Sequence, residues 1–235
     1  MNRLLRRSIK LAQRSAYFLR TGYIQTGERV NPDFPDENFQ NHFKVYRFLE
    51  QFAQGKDVLD IGSGTGYGTA HLGGFAKNIV GIDISERAIR FARKRYPATR
   101  FELMDAQALT FAPASFDVAI STENFEHLGD QEKHLREVVK VLRPDGMCFI
   151  ATPNRNVALE TNRYHTHEFT AEELREMLLR HFSEVEVWPS MMQTPDAGSL
   201  VRQAAGSLRV FGRPVDGEWV SNTHSLFSFA RGARK

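Results

Sequence analysis

Apolar residues in this chain group in two alternating ways. Short runs such as Val58-Leu59-Asp60-Ile61 and Val118-Ala119-Ile120 read as buried strands, whereas longer stretches space their apolar residues as one face of a helix does. The spacing predicts strands over 57–61, 78–83, 100–103, 117–121 and 147–152. Between them fall a Gly-rich turn with a helix through Leu72, a helix that Ser85 caps and Pro97 ends, and a helix over about 130–142. Arg143-Pro144-Asp145-Gly146 reads as a turn. Thr170 and Glu173 have the spacing of a capping box, opening a helix to about His181, and 184–188 and 225–230 read as two last strands. Before the sheet, Phe43, Tyr46, Phe48, Leu49 and Phe52 mark a short helix over 42–54. Such alternation predicts an α/β fold, a doubly wound parallel sheet with ligands at the carboxyl ends of its strands.

Two stretches break the rhythm. Residues 21–42 are rich in Gly, Pro, Asn and Asp and read as a loop or lid, anchored by Phe34, Phe39 and Phe43. Residues 190–220 carry six glycines and prolines and read as an insertion with one short helix. The organisation expected is an amino-terminal helix and lid over 1–54, then one domain over 55–235.

Composition narrows the classes. One cysteine in 235 residues excludes a disulfide framework and any multi-cysteine metal site. No apolar run approaches the ~18 residues of a membrane span. The net charge of +3 conceals an asymmetry: Arg3, Arg6, Arg7, Lys10, Arg14 and Arg20 stand in the first twenty residues with no acid among them. Taking these six from 31 leaves 25 basic residues against 28 acidic ones. A basic groove for nucleic acid is therefore not expected. On a helical wheel, residues 1–20 separate an apolar half from a basic half. That fits a lid helix docked on its own domain, or one lying on an anionic membrane surface. The same stretch resembles an organellar transit peptide. The expected location is cytoplasmic, with peripheral membrane contact open.

The informative stretch is Val58-Leu59-Asp60-Ile61-Gly62-Ser63-Gly64-Thr65-Gly66-Tyr67-Gly68. A G-x-G-x-x-G dinucleotide register fails from each starting glycine, and the Gly-Lys-Ser/Thr of a P-loop is absent. The segment resembles motif I of the class I S-adenosylmethionine-dependent methyltransferases. The likeness continues in order through Gly81-Ile82-Asp83-Ile84-Ser85, Met104-Asp105-Ala106, Phe116-Asp117-Val118-Ala119-Ile120-Ser121 and Val141-Leu142-Arg143-Pro144-Asp145-Gly146. Asp145 stands where the family often has glycine. The resemblance implies a Rossmann-like, seven-stranded sheet with an antiparallel last strand, and S-adenosyl-L-methionine as cofactor. Its site residues would be Asp60, Gly62, Ser63, Gly64, Gly66, Asp83, Ile84, Asp105, Ala106 and Ser121. Of these, Asp60 and Gly62 would serve the methionine end, Asp83 the ribose and Asp105 the adenine.

For the acceptor, a hydroxyl must lose its proton, and a histidine or carboxylate near the methyl group is the natural base. His127 follows the fourth strand, and His165 and Glu168 lie in a run resembling one found in bacterial methyltransferases of surface glycans and small molecules; Arg163 departs from that run. These three are the catalytic candidates, each equally readable as a loop-bracing residue. No metal is expected, since His165 and His167 lack an evident third ligand. The Glu-His-Leu motif also resembles that of ubiquinone-pathway O-methyltransferases. The expected activity is methyl transfer to a hydroxyl of a small molecule or glycan. Alternatives are a quinol acceptor, an RNA or protein substrate, and a cofactor-binding scaffold without turnover.

Overall fold

The computed structural model describes Val30, residues 32–33, 37–156, 162–189 and 225–234. The predicted amphipathic helix of residues 1–20 and the insertion at about 190–220 lie outside the described residues. So does most of the predicted lid.

Helix α1 (Glu37–Ala53) precedes strand β1 (Asp57–Ile61), helix α2 (Tyr67–Leu72), strand β2 (Asn78–Asp83), helix α3 (Glu86–Arg95) and strand β3 (Arg100–Leu103). Strand β4 (Phe116–Thr122), a 3-10 turn (Phe125–His127), helix α4 (Gln131–Val141) and strand β5 (Leu142–Pro153) follow, then helix α5 (Ala171–Leu179) and strands β6 (Phe182–Pro189) and β7 (Ser225–Ala233). The strands form a seven-stranded sheet in the order β3-β2-β1-β4-β5-β7-β6. Neighbours among β1 to β5 run parallel, and β7 is antiparallel to both β5 and β6. The antiparallel strand predicted last in sequence therefore lies inside the sheet, not at its edge.

Strand residues alternate between the two faces, as the pleat requires. Val58, Val118, Ile120, Phe149 and Ala151 pack with Val45, Phe48 and Leu49 of α1 and Leu72 of α2. Leu59, Ile61, Ala119, Cys148 and Ile150 pack on the other side with Leu135 and Val138 of α4 and Leu174 and Leu178 of α5. Burial on both faces explains why these strands are continuous apolar runs.

The caps are local. Ser85 accepts from Ala88 N, Asp130 from Lys133 N, and Thr170 and Glu173 complete the capping box read from the sequence. Two boundaries differ from expectation. Helix α1 begins five residues before His42, so part of the predicted lid is helical. The 143–146 segment continues β5 across a register shift between Phe116 and Val118 and does not end the strand. At that end Arg143 pairs with both Asp57 and Asp117, at 2.9 and 2.7 Å, clamping the starts of three adjacent strands. Among the described residues, no helix is long and apolar enough to cross a membrane.

Candidate functional site

The strand order reverses between β1 and β4, and there the carboxyl ends open a cleft of about 620 Å³. Its floor is the turn after β1. Gly62 adopts φ 77°, and a Cβ there would come within 2.5 Å of the Asn124 side chain, so any other residue would be strained and would displace Asn124. Gly66, at φ 83°, sits behind the turn with Ala92 and Phe101 packed against it.

The amides of this turn are largely spent internally. Gly62 N and Ser63 N donate to Ile82 O, Gly66 N donates to Ser63 O, and Gly64 N donates to Asp83 Oδ2. Such a turn has little left to offer a phosphate. Among the described residues the lining includes Asp83, Asp105, Glu123 and Glu126, and neither lysine nor arginine. Pyrophosphate would meet repulsion here, whereas a ligand carrying positive charge would be attracted.

Behind the floor, Asp60 is fully buried. It accepts from Thr69 Oγ1 at 2.6 Å and from Tyr46 OH at 3.3 Å, tying β1 to α2 and α1. Burial pushes its carboxyl up to about 6, against the two hydrogen bonds, with the Asp83 charge adding to the rise.

On one side, Asp83 accepts from Gly64 N and Ser85 N and turns into the cleft. Beside it Ile84 is 71% exposed, an apolar side chain that a flat base would cover. Met104, Asp105, Ala106 and Leu128 continue this wall. Asp105 accepts from Gln107 N at 2.8 Å, and the buried His134 of α4 bonds Ala106 O through Nδ1 at 2.9 Å. The loop is thereby held against α4. An apolar slot rimmed by two carboxylates can accept hydrogen bonds from the hydroxyls or amines of a ligand seated in it. Ser63 Oγ, buried without a hydrogen-bond partner among the described residues, adds an unsatisfied polar atom on the same floor.

At the other end stand Glu126, His127 and His165. His127 Nδ1 is 3.0 Å from Tyr164 O, and its Nε2 is 3.7 Å from Glu126 Oε1. His165 Nδ1 lies 2.6 Å from Glu168 Oε1, and its Nε2 lies 3.0 Å from Asn162 Nδ2. Glu126 accepts from Thr152 Oγ1 at 2.9 Å. Its burial raises the carboxyl above the ordinary range, although its own backbone amide, His127, Thr152 and His165 oppose the rise. The Thr166 N–H and hydroxyl both reach Glu126 O, joining the two segments.

The structure thus brings Gly62, Ser63, Gly64, Asp83, Ile84, Asp105, Ala106, His127 and His165 to one cleft. Asp60, Gly66, Ser121 and Glu168 stand behind it; Ser121 is buried and accepts from Asn124 Nδ2. Sequence reasoning missed Glu126, Glu123 and the α1 residues Asn38, His42 and Tyr46, which also face the cleft. The signal for the last three was their four-residue spacing, a polar stripe on one helical face. Glu123 adopts φ 48°, a left-handed conformation costly for a non-glycine and concentrated at functional sites.

The profile of a family described as "Methyltransferase domain" matches residues 59–150. A "probable S-adenosylmethionine-dependent methyltransferase" of Mycolicibacterium smegmatis is 37% identical over 168 residues, covering 68% of this chain and 65% of that protein. The chain thus spans just under two thirds of that relative's length. A "ubiquinone biosynthesis O-methyltransferase" of Rhizobium etli is 30% identical over 207 residues, 86% of this chain and 77% of its own. Among solved structures, N-methyltransferase NodS of Bradyrhizobium japonicum, in complex with S-adenosyl-L-homocysteine, shares the fold. Its TM-score is 0.61 at 20% identity, over 85% of this chain and 89% of that one.

Proposed function

This chain belongs to the class I S-adenosylmethionine-dependent methyltransferases, and from that premise we propose that it methylates a hydroxyl of a small molecule or glycan at the Glu126–His127–His165 end of the cleft. S-adenosyl-L-methionine, when bound, supplies a methyl group on a positively charged sulfur, already activated for in-line displacement. The residues that would hold it are Asp83 at the ribose, Asp105 at the adenine amine, and Ile84, Met104, Ala106 and Leu128 against the base. The Gly62–Gly64 turn, backed by Asp60, takes the methionine end. The cleft's acidic lining supports a cationic cofactor over a pyrophosphate-bearing one.

The chain's remaining task is to orient the acceptor oxygen and remove its proton. One observation carries the hydroxyl reading: a carbonyl can only accept, so the Tyr164 contact fixes the Nδ1–H tautomer of His127 and makes Nε2 the proton acceptor. Glu126, beside that nitrogen, favours the imidazolium once formed. His165, oriented by Glu168, walls the same space. A quinol acceptor is the second reading, favoured by the long alignment with the Rhizobium etli protein. A cleft without lysine or arginine among its described lining residues speaks against an RNA substrate.

Calorimetric titration tests the premise. S-adenosylmethionine and S-adenosylhomocysteine should bind and NAD should not; binding of NAD alone would overturn the assignment. Sugars and hydroquinones are then screened as acceptors. His127→Gln should lower turnover about 10²–10⁴-fold while S-adenosylhomocysteine affinity holds, the range typical of a lost general base. Full turnover in both His127→Gln and His165→Gln would remove the two histidines from the mechanism.

A further inference from the structure

The contact between His127 and Glu126 poses an electrostatic problem. With Nδ1–H donated to the Tyr164 carbonyl, the Nε2 of the neutral ring presents a lone pair. That nitrogen faces Glu126 Oε1 at 3.7 Å, and Glu126 is only 1% exposed. A positive charge between these two atoms, carried by a proton or by a metal ion, satisfies both. His165 closes the triangle: its ring meets that of His127 edge-on, centroids 4.9 Å apart. One ligand atom from each of Glu126, His127 and His165 lies within 4.8 Å of the others.

We propose that Glu126, His127 and His165 form a site for one divalent transition-metal ion, with Zn²⁺ the best match to a two-imidazole, one-carboxylate donor set. Zn²⁺ bonds of about 2.0–2.1 Å at tetrahedral angles put donor atoms about 3.4 Å apart, so modest side-chain movement completes the site. The surroundings of each donor fit this use. Ligating histidines commonly donate the other ring N–H to a carboxylate or a backbone carbonyl. His165 has Glu168 at 2.6 Å, His127 has the Tyr164 carbonyl, and Glu126 has the Thr152 hydroxyl. Binding through His165 Nε2 requires the Asn162 amide, 3.0 Å away, to turn aside. The Thr166 bonds to Glu126 O hold the two ligand-bearing segments together without the ion. His167 takes no part; its ring lies edge-on against Phe169 at 4.4 Å.

Three protein donors leave a coordination position towards the cleft. An acceptor hydroxyl bound there loses its proton more easily: the O–H bond breaks, the electron pair stays on oxygen and the proton passes to water. This consequence rests on the hydroxyl reading above. Without the ion, His127 takes the proton itself.

The test is calorimetric titration of the chelator-treated 235-residue chain with Zn²⁺, and with Co²⁺ read by visible absorption. S-adenosylhomocysteine binding, measured on every sample, serves as the fold check. One ion per chain should bind. Glu168→Gln should weaken it about 10–100-fold, as loss of a carboxylate behind a ligating histidine does, and His165→Asn and Glu126→Gln should weaken it further. His167→Ala should leave it unchanged. Absence of stoichiometric binding in protein that still binds S-adenosylhomocysteine overturns the metal site and leaves the methyltransferase reading standing. Equal affinity in wild type and His165→Asn overturns it too. Ion binding without S-adenosylhomocysteine binding would instead sink the cofactor premise.

Discussion

Asp60 and His134 are buried ionisable groups whose neutral forms the fold favours, and their effects on stability oppose each other. Asp60 is raised to about 6, so the stability it contributes is complete below an unfolded aspartate's value near 3.8 and is lost as pH rises through 6. His134 is lowered by burial to about 4, against its bond to Ala106, so its contribution is complete above 6.5 and is lost as pH falls through 4. Each difference corresponds to about 3 kcal/mol. Between pH 4 and 6 the two slopes offset in the cofactor-free protein. In urea unfolding across that window, Asp60→Asn should lose stability as pH falls, and His134→Asn should lose it as pH rises. Parallel curves for wild type and both variants would refute the assignment. Asp83→Ala should weaken S-adenosylhomocysteine binding at least tenfold, as one charge-assisted hydrogen bond is worth. It should also lower the melting temperature, because Gly64 N and Ser85 N lose their acceptor. Unchanged affinity by calorimetry would discredit the ribose assignment. Asp83 and Gly62 were legible because strand ends and turn glycines are local features. Glu126 was not: its partners Thr152 and His165 stand 26 and 39 positions away, a nearness only the fold creates.

Helices and strands were legible where their signals were local. Ser85, Asp130 and the Thr170–Glu173 box marked helix starts that the structure keeps. The start of α1 was not marked, because Glu-Asn-Phe-Gln-Asn reads as loop on propensity. Packing of Val45, Phe48 and Leu49 on the sheet sustains that helix, the usual source of helical stability in proteins. Pro144-Asp145-Gly146 reads as a turn, yet pairing on both sides carries the strand through it. Between β5 and α5, the segment 162–169 depends on Thr166, whose hydroxyl donates towards Glu126 O and Leu128 O at 2.9 and 2.6 Å. Thr166→Val keeps the shape and removes these bonds. Turnover should fall about tenfold, the equivalent of one to two hydrogen bonds, with S-adenosylhomocysteine affinity unchanged in steady-state kinetics and calorimetry. An equal loss in both would place the segment in cofactor binding.

Across the protein, the doubly wound sheet buried on both faces, with ligands at the carboxyl ends of its strands, followed from the alternation of strand and helix; the order that places the switch point at β1 and β4 is seen only in the fold. The position of β7 did not follow either, since strand order between β5 and β6 has no local signature. Because the cleft draws walls from β1, β2, β4 and the segment after β5, cofactor binding should stabilise the fold as a unit. At a hundredfold excess over Kd, S-adenosylhomocysteine should add about 2.7 kcal/mol in one cooperative transition by differential scanning fluorimetry. Cys148, buried with its thiol pushed up to about 12, should resist iodoacetamide in the native protein and react only after unfolding.

The placement of β7 carries a consequence for how the protein is made. Strands β5 and β6 do not pair with each other; each waits for a partner whose first residue, Ser225, follows Pro189 by 36 positions. During synthesis at about 5–20 residues per second, the nascent chain holds two unpaired edges for some seconds before β7 leaves the ribosome and enters between them. Those edges include Phe149, Ile150, Val185 and Val187, the apolar, β-prone residues that attract chaperones and other nascent chains. Misassembly of the nascent chain is therefore expected to begin at that gap while it stands open.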